Sequence, residues 1–68
     1  MTLNINQQQR FFEDPPQHVA ALVALEMQGH TKGIAVAINQ HVIPKERWAD
    51  TPLHEQDQIL IITATQGG

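Results

Sequence analysis

The stretch Ile59-Leu60-Ile61-Ile62 is apolar at every position. A strand with one face exposed to solvent alternates apolar and polar residues. This run therefore predicts a central strand that is covered on both faces, or that turns one face toward a partner. The polar turn His54–Asp57 precedes the run, and Thr63–Thr65 continue the strand outward. Because the most apolar strand comes last in a chain of 68 residues, earlier segments must supply its neighbours.

The N-terminal segment has the pattern of a hairpin. Leu3 and Ile5 alternate with polar residues, which is the period-two pattern of a half-buried strand. We expect a tight turn at Gln7-Gln8 and a second strand over Gln9–Phe12. The turn contains no Asn-Gly or Asp-Gly pair, so the sequence leaves its register open.

A helix is predicted after the hairpin. Asp14 precedes two prolines and has Gln17 three residues further on, which is the spacing of a capping box. We therefore expect Asp14 to cap the helix. The apolar residues that follow repeat at helical spacing and form a stripe for the core. The stripe consists of Val19, Leu22, Val23 and Met27. Gly29 is expected to end the helix.

Two more strands and an irregular connection lead to the last strand. Ile34–Ile38 alternates large apolar residues with alanine. Asn39-Gln40 can form a two-residue turn into a short strand, His41–Ile43. We expect Lys45–Leu53 to be irregular with one helical turn. Trp48 lies in this connection, and it either fills an edge of the core or belongs to a partner surface.

The predicted order of elements is β-β-α-β-β-β. A hairpin, one crossover helix and a returning strand are compatible with a mixed sheet that carries the helix on one face. Placing the final strand in the centre, parallel to the first, gives the most apolar strand two neighbours. The prediction is therefore an α+β protein with the β-grasp, or ubiquitin-like, fold. We expect one domain over residues 1–65 and a flexible tail over residues 66–68.

The composition excludes several classes of function. The chain has no cysteine, which rules out disulfides, iron–sulfur clusters, cysteine-based zinc sites and a cysteine nucleophile. A formal charge of −3 and few, scattered basic residues argue against nucleic acid as a partner. The longest apolar run, Val19–Leu25, is far too short to span a membrane. The N-terminus has no signal-peptide pattern, so we expect a cytoplasmic protein.

The titratable residues do not form a recognisable catalytic or metal-binding pattern. The four histidines lack ligand spacing. The acidic pairs Glu13/Asp14 and Glu55/Asp57 lie beside predicted turns, where capping and solvation explain them better than acid–base catalysis. We therefore expect no catalytic residue, no metal and no cofactor bound by this chain. The residues by themselves therefore give no indication of an enzyme.

Several short motifs resemble those of the thiamine-biosynthesis sulfur carriers, the ThiS family within the MoaD/ThiS superfamily. They are Ala37–Asn39, Val42–Pro44, Trp48, Asp57–Ile59 and Gly67-Gly68. The resemblance covers the second half of the chain almost continuously, and it continues more weakly into the helix stripe and the first strand. Taken together at this spacing the motifs are specific, and they imply the same β-grasp fold as the pattern of elements.

The sequence departs from the family pattern in two places. Gln66 precedes the diglycine where a small or apolar residue is usual. The turn Glu55–Asp57 lacks the glycine that is often found before the last strand. Neither departure touches the residue that the family uses for its chemistry.

The resemblance implies a mechanism centred on the carboxylate of Gly68. In such carriers a ThiF-type enzyme adenylates the terminal carboxylate with ATP and Mg²⁺. A cysteine desulfurase relay then supplies the sulfur of a thiocarboxylate, and a ThiG-type thiazole synthase uses that sulfur to build the thiazole ring. ATP and Mg²⁺ are thus used by the adenylating partner. A free carrier of this kind is expected to be a monomer.

The tail must be thin to reach an enzyme's ATP site. Gly67 and Gly68 have no Cβ and permit backbone conformations that are closed to other residues. The partner must also grip the body of the carrier, so we expect an apolar patch on the sheet. The candidates are Ile59, Leu60, Ile61 and Ile62. Which alternate pair faces outward depends on the register of the strand.

Two other functions remain open at this point. One is a sulfur carrier for molybdopterin synthesis or another sulfur-transfer pathway, although the motifs at Ala37–Asn39 and Val42–Pro44 favour thiamine. The other is a β-grasp interaction module in which the diglycine is incidental. A small enzyme is the least favoured reading, because a core this thin leaves little room for a pocket.

Overall fold

The computed structural model describes residues 1–28 and 32–63. The strands within these ranges are β1 (Thr2–Ile5), β2 (Gln8–Phe11), β3 (Ile34–Ile38), β4 (His41–Ile43) and β5 (Gln58–Thr63). The α-helix α1 (Val19–Met27) lies between β2 and β3, and a short 3-10 helix (Lys45–Asp50) lies between β4 and β5. This order confirms the predicted β-β-α-β-β-β arrangement.

The strands form one mixed sheet in the order β2-β1-β5-β3-β4. The last strand, β5, lies in the centre, parallel to β1 and antiparallel to β3. This topology confirms the β-grasp prediction. The central position accounts for half of the apolar run in β5, because the pleat directs Ile59 and Ile61 into the core.

Both hairpins turn on an Asn-Gln pair. In the β3–β4 hairpin the turn residues Asn39 and Gln40 have φ of 49° and 73°, as expected for a two-residue turn. In the β1–β2 hairpin the turn lies at Asn6-Gln7, with φ of 51° and 67°, and not at the predicted Gln7-Gln8. Asparagine tolerates the left-handed region better than glutamine, which places it at the first turn position. The second strand accordingly begins and ends one residue earlier than predicted.

The helix begins later than predicted. Its N-cap is His18 and not Asp14: the Nδ1 atom of His18 accepts a hydrogen bond from the backbone N–H of Ala21 at 3.1 Å. Pro15-Pro16 explain the difference, since a proline disfavours the helical conformation of the residue before it. At the other end Gln28 is left-handed and its N–H bonds to the carbonyl of Ala24. The predicted stop, Gly29, lies outside the described residues.

The core lies between α1 and one face of the sheet. The predicted helix stripe is confirmed, because Val19, Leu22 and Val23 are fully buried and Met27 packs against them. Trp48 is also buried, and its Nε1–H donates to the carbonyl of Ile43 at 2.9 Å. Trp48 is therefore a core residue, which decides between the two roles that the sequence left open. The other buried apolar residues are Leu3, Ile5, Val36, Ile38, Leu53, Ile59 and Ile61.

Candidate docking face and the strand that leads to the tail

The tail residues predicted to carry the chemistry, Gln66, Gly67 and Gly68, lie outside the described residues. The described chain reaches Thr63, the last residue of β5. Residues 64–68 follow it directly. The candidate site within the described chain is therefore the central strand and the face of the sheet beside it.

The four predicted interface residues of β5 divide between the two faces of the sheet. Ile59 and Ile61 are buried, so their side chains belong to the core. This decides the choice of outward pair that the sequence left to the register of the strand. Leu60 and Ile62 point the other way, and 43% and 50% of their surfaces are exposed. The alternation follows from the pleat, which sends successive side chains to opposite faces.

The strands beside β5 extend this apolar surface. Ala37 lies opposite Leu60 and Ala35 lies opposite Ile62 on β3, and Val42 on β4 lies opposite Ala37. Val42 is 75% exposed. We call these five residues, Leu60, Ile62, Ala35, Ala37 and Val42, the docking face. The small alanines between the larger side chains leave room for an incoming apolar group.

An open depression adjoins the docking face between the two Asn-Gln turns. Its volume is about 460 Å³, and its walls carry four side-chain amides above an apolar floor. The lining residues are Asn4, Gln7, Ala37, Gln40, Gln58, Ile59 and Leu60. Amides can both donate and accept hydrogen bonds without bringing a charge, so the depression suits main-chain groups of a partner.

Ionisable side chains lie elsewhere on the described sheet. Arg10 of β2 points to the helix side, where it forms an ion pair with Glu26 of α1. Its guanidinium also lies 5.1 Å from the centre of the Phe12 ring. On the opposite face, the described strand residues are apolar or neutral polar. Depletion of charge is typical of the central part of a protein–protein interface.

The start of β5 is held by a buried carboxylate. Asp57 accepts hydrogen bonds from the backbone N–H of His54 at 2.8 Å and from Nδ2 of Asn39 at 3.1 Å. Oδ1 of Asn39 in turn accepts from the N–H of Gln58 at 3.0 Å. Gln56 in the same turn has φ of 69°, a conformation that glycine adopts at less cost. The glycine that is often found in this turn would therefore suit position 56, where this chain has glutamine.

The residues that sequence reasoning missed are those whose role depends on pairing across strands. Val42 lies in a three-residue strand, which is too short to show an alternating pattern. Ala35 and Ala37 were visible as the small residues of β3, but only the register with β5 places them beside Leu60 and Ile62. Among residues 1–28 and 32–63, His, Asp and Glu side chains form no group of three that could hold a metal ion.

Within the described ranges, no helix has the length and apolar character needed to cross a membrane.

The topology defines a β-grasp protein: a mixed sheet with its last strand central, and one α-helix packed on one face within the described residues. A family model, ThiS, described as the ThiS family, matches residues 3–68. The chain therefore belongs to the ThiS family.

Two individual proteins show the extent of the similarity. The sulfur carrier protein ThiS of Escherichia coli (strain K12) is 44% identical over 36 residues, which are 53% of this chain and 54% of that protein. The alignment thus spans about half the length of this curated relative. The crystal structure of a thiamine biosynthesis protein (ThiS) from Geobacter metallireducens superposes with a TM-score of 0.84. That match covers 100% of both chains at 19% identity, and it shows the shared fold.

Proposed function

We propose that this chain is a sulfur carrier of thiamine biosynthesis, with the carboxylate of Gly68 as the group that carries the sulfur. The observation that supports this most strongly is the family match over residues 3–68, which includes the diglycine. The curated relative named sulfur carrier protein ThiS adds weight to it. The cytoplasm, where ATP is abundant, is the compartment that this proposal requires.

The proposed chemistry takes place on the main chain. A carboxylate oxygen of Gly68 attacks the α-phosphorus of ATP, and pyrophosphate leaves. With sulfide as donor, the sulfur attacks the acyl carbon of the adenylate, AMP leaves that carbon, and Gly68 ends in a thiocarboxylate. The partners supply the catalysis: a ThiF-type adenylating enzyme with Mg²⁺, a cysteine desulfurase relay, and a ThiG-type thiazole synthase. The chain itself is their substrate.

The docking face is the part of the body that these partners would grip. Leu60 and Ile62 lie on the same strand that leads to residues 64–68, so contact with them brings the tail close to the partner. Removing such neutral side chains from water is favourable, at about 25 cal/mol per Å² of apolar surface. The same face can serve the adenylating enzyme and the thiazole synthase in turn, because each releases the carrier after its step.

The alternative of a molybdopterin carrier differs in the enzyme that accepts the sulfur. The test starts from a chain that already has a thiocarboxylate on Gly68, prepared by cleaving an intein fusion with sulfide. This chain is mixed separately with thiazole synthase and with the molybdopterin synthase subunit that accepts sulfur, and each mixture also contains the other substrates of its reaction. We expect the thiocarboxylate to be consumed, with thiazole formed, only in the first mixture. Sulfur transfer only in the second would contradict the thiamine assignment.

A further inference from the structure

The two outer strands of the sheet, β2 and β4, differ in how open their edges are. β4 has three residues and is followed by Pro44, and both short strands and prolines discourage pairing at an edge. β2 has four exposed residues in continuous register with β1, and it contains no proline, no lysine and no bulge. The outer side of β2 is therefore an edge that another strand can join.

The main-chain groups of Gln9 and Phe11 point to this outer side. In an antiparallel pair of strands, hydrogen-bonded and non-hydrogen-bonded residue pairs alternate. Phe12 and Met1 exchange both bonds, at 2.7 Å and 2.8 Å. Two residues earlier, Arg10 is therefore also bonded to β1, and the N–H and C=O groups of Gln9 and Phe11 are directed away from it. The described part of the chain offers these four groups no hydrogen-bond partner.

We propose that the outer edge of β2 is the site of a second copy of this chain, whose own β2 pairs with it in antiparallel orientation around Arg10. In this register Gln9 lies opposite Phe11 of the copy, and the two residues exchange two main-chain hydrogen bonds. The two-fold axis generates the second pair from the first. One copy thus supplies a partner for all four free groups, because the edge is complementary to itself.

The side chains of β2 are compatible with this register. Phe11 is 73% exposed, and in the pair it lies beside the carboxamide of Gln9 of the copy, on the sheet face opposite the helix. Arg10 lies opposite Arg10 of the copy, where like charges oppose pairing. Each Arg10 already forms an ion pair with Glu26 of its own chain. The two ion pairs meet at the axis as a cluster without net charge, so the edge does not repel its copy.

The size of the edge determines the strength of the pairing. Four residues on each side are far fewer than the about 20–30 of a stable interface. We therefore expect a weak dimer, in which the chain is monomeric at micromolar concentration and paired at millimolar concentration. The monomer that the family resemblance implies is then the dilute form. Pairing leaves the docking face uncovered, because Leu60, Ile62 and Val42 lie on β5 and β4.

Single cysteines test the register, because the chain has no cysteine of its own. Arg10→Cys places a thiol on the axis, where the Cα atoms of the pair are about 4.5 Å apart and a disulfide can form. Gln8→Cys is the matched control. It lies on the same strand and face, but the two copies of residue 8 are four residues apart along the strand, about 13 Å. A mixture of Gln9→Cys and Phe11→Cys chains tests the same register with Arg10 intact.

The cysteine variants are equilibrated in a glutathione buffer at millimolar chain concentration. We expect Arg10→Cys, and the mixed pair of Gln9→Cys with Phe11→Cys, to form at least about tenfold more disulfide dimer than Gln8→Cys. Equal yields in the mixed pair and the control would overturn the inference, because the ion pair at Arg10 is intact in both.

The amide resonances of the original full-length chain give a second test without any substitution. Between micromolar and millimolar concentration, we expect the amide protons of Gln9 and Phe11 to shift, and those of Leu60 and Ile62 to stay unchanged. Gln9→Pro removes one outward donor at a strand edge that tolerates proline, and it should abolish the shift at Phe11. No shift with concentration would overturn the inference. So would shifts confined to Leu60 and Ile62, which would mean that two copies meet through the docking face.

Discussion

Asn6 and Asn39 have the same structural role at the two turns. Both are left-handed, with φ of 51° and 49°, and both direct Oδ1 to a backbone N–H of β5. Asn6 bonds to Ile61 at 2.8 Å, and Asn39 bonds to Gln58 at 3.0 Å. Asparagine suits both positions because it combines tolerance of positive φ with a short carboxamide. The two turns thus hold the strand that carries the tail.

The first prediction concerns Asn6. Asn6→Gly keeps the left-handed backbone and removes only the carboxamide, which leaves the N–H of Ile61 without its acceptor. We expect the free energy of unfolding in urea to fall by about 1–2 kcal/mol. Gln7→Gly is the control, since Gln7 also has positive φ. Equal stability of the two variants would show that the Asn6 side chain contributes nothing.

The second prediction concerns the turn before β5. Gln56 has φ of 69°, so Gln56→Gly relieves the strain of a side chain in the left-handed region. We expect the free energy of unfolding to rise by about 0.5–1 kcal/mol. Gln9→Gly, in strand β2, should lower it by a similar amount because extended backbone gains nothing from glycine. A fall in both variants would mean that Gln56 costs nothing in this turn.

At the scale of elements, the start of α1 depends on an uncommon cap. His18 accepts the N–H of Ala21 through Nδ1, and the N–H of the next residue, Val19, bonds to the carbonyl of Thr51 at 3.0 Å. The first turn of the helix is thereby joined to the loop after the 3-10 helix. Packing of the helix stripe and these two bonds together determine where the helix begins.

The third prediction tests this cap. His18→Ala removes the acceptor for the N–H of Ala21, and we expect the free energy of unfolding to fall by about 1 kcal/mol. His18→Asn restores a side-chain acceptor at the same position and should recover most of the loss. Thermal and urea denaturation give both values. If the alanine and asparagine variants are equally stable, the hydrogen bond of His18 does not support the helix.

Periodicity in the sequence predicted the elements well but not their ends. The stripe of α1 was evident because a helix core repeats at a fixed spacing. The position of the cap was not evident. Asp14 with Gln17 fits a capping box, whereas Pro15-Pro16 disfavour helical backbone in the residues before them. The first hairpin was one residue in error because both Asn6-Gln7 and Gln7-Gln8 are polar pairs, and only backbone conformation separates them.

At the scale of the whole molecule, the topology could be predicted because one strand is apolar at every position. Which two residues of that strand face outward could not be predicted, because Ile59, Leu60, Ile61 and Ile62 are all apolar and show no alternation. Pairing with β1 and β3 determines which side chains face the core. The tail motif could be recognised from the sequence alone, because Gly67-Gly68 is a motif of residue identity and not of folded structure.

The fourth prediction concerns the docking face. Leu60→Asp places a charge in the neutral face, and we expect kcat/KM for adenylation to fall at least tenfold, as about 1.5–3 kcal/mol of apolar burial is lost. Leu25→Asp is the control, because Leu25 is 56% exposed on the helix. Binding of the original chain should also change little with added salt, since the face carries no charge. Equal activity of both variants would mean that the partner grips another surface.

The most direct measurement of the central claim is the intact mass of the chain after incubation with the ThiF-type enzyme, ATP, Mg²⁺ and sulfide. A chain without Gly68 is treated in parallel. We predict a mass gain that matches replacement of one oxygen by sulfur in the full chain and no gain in the shortened one. A gain that survives the loss of Gly68 would contradict the proposal that its carboxylate carries the sulfur. The absence of a mass gain in the full chain would also contradict it, if the same enzyme activates another carrier under the same conditions.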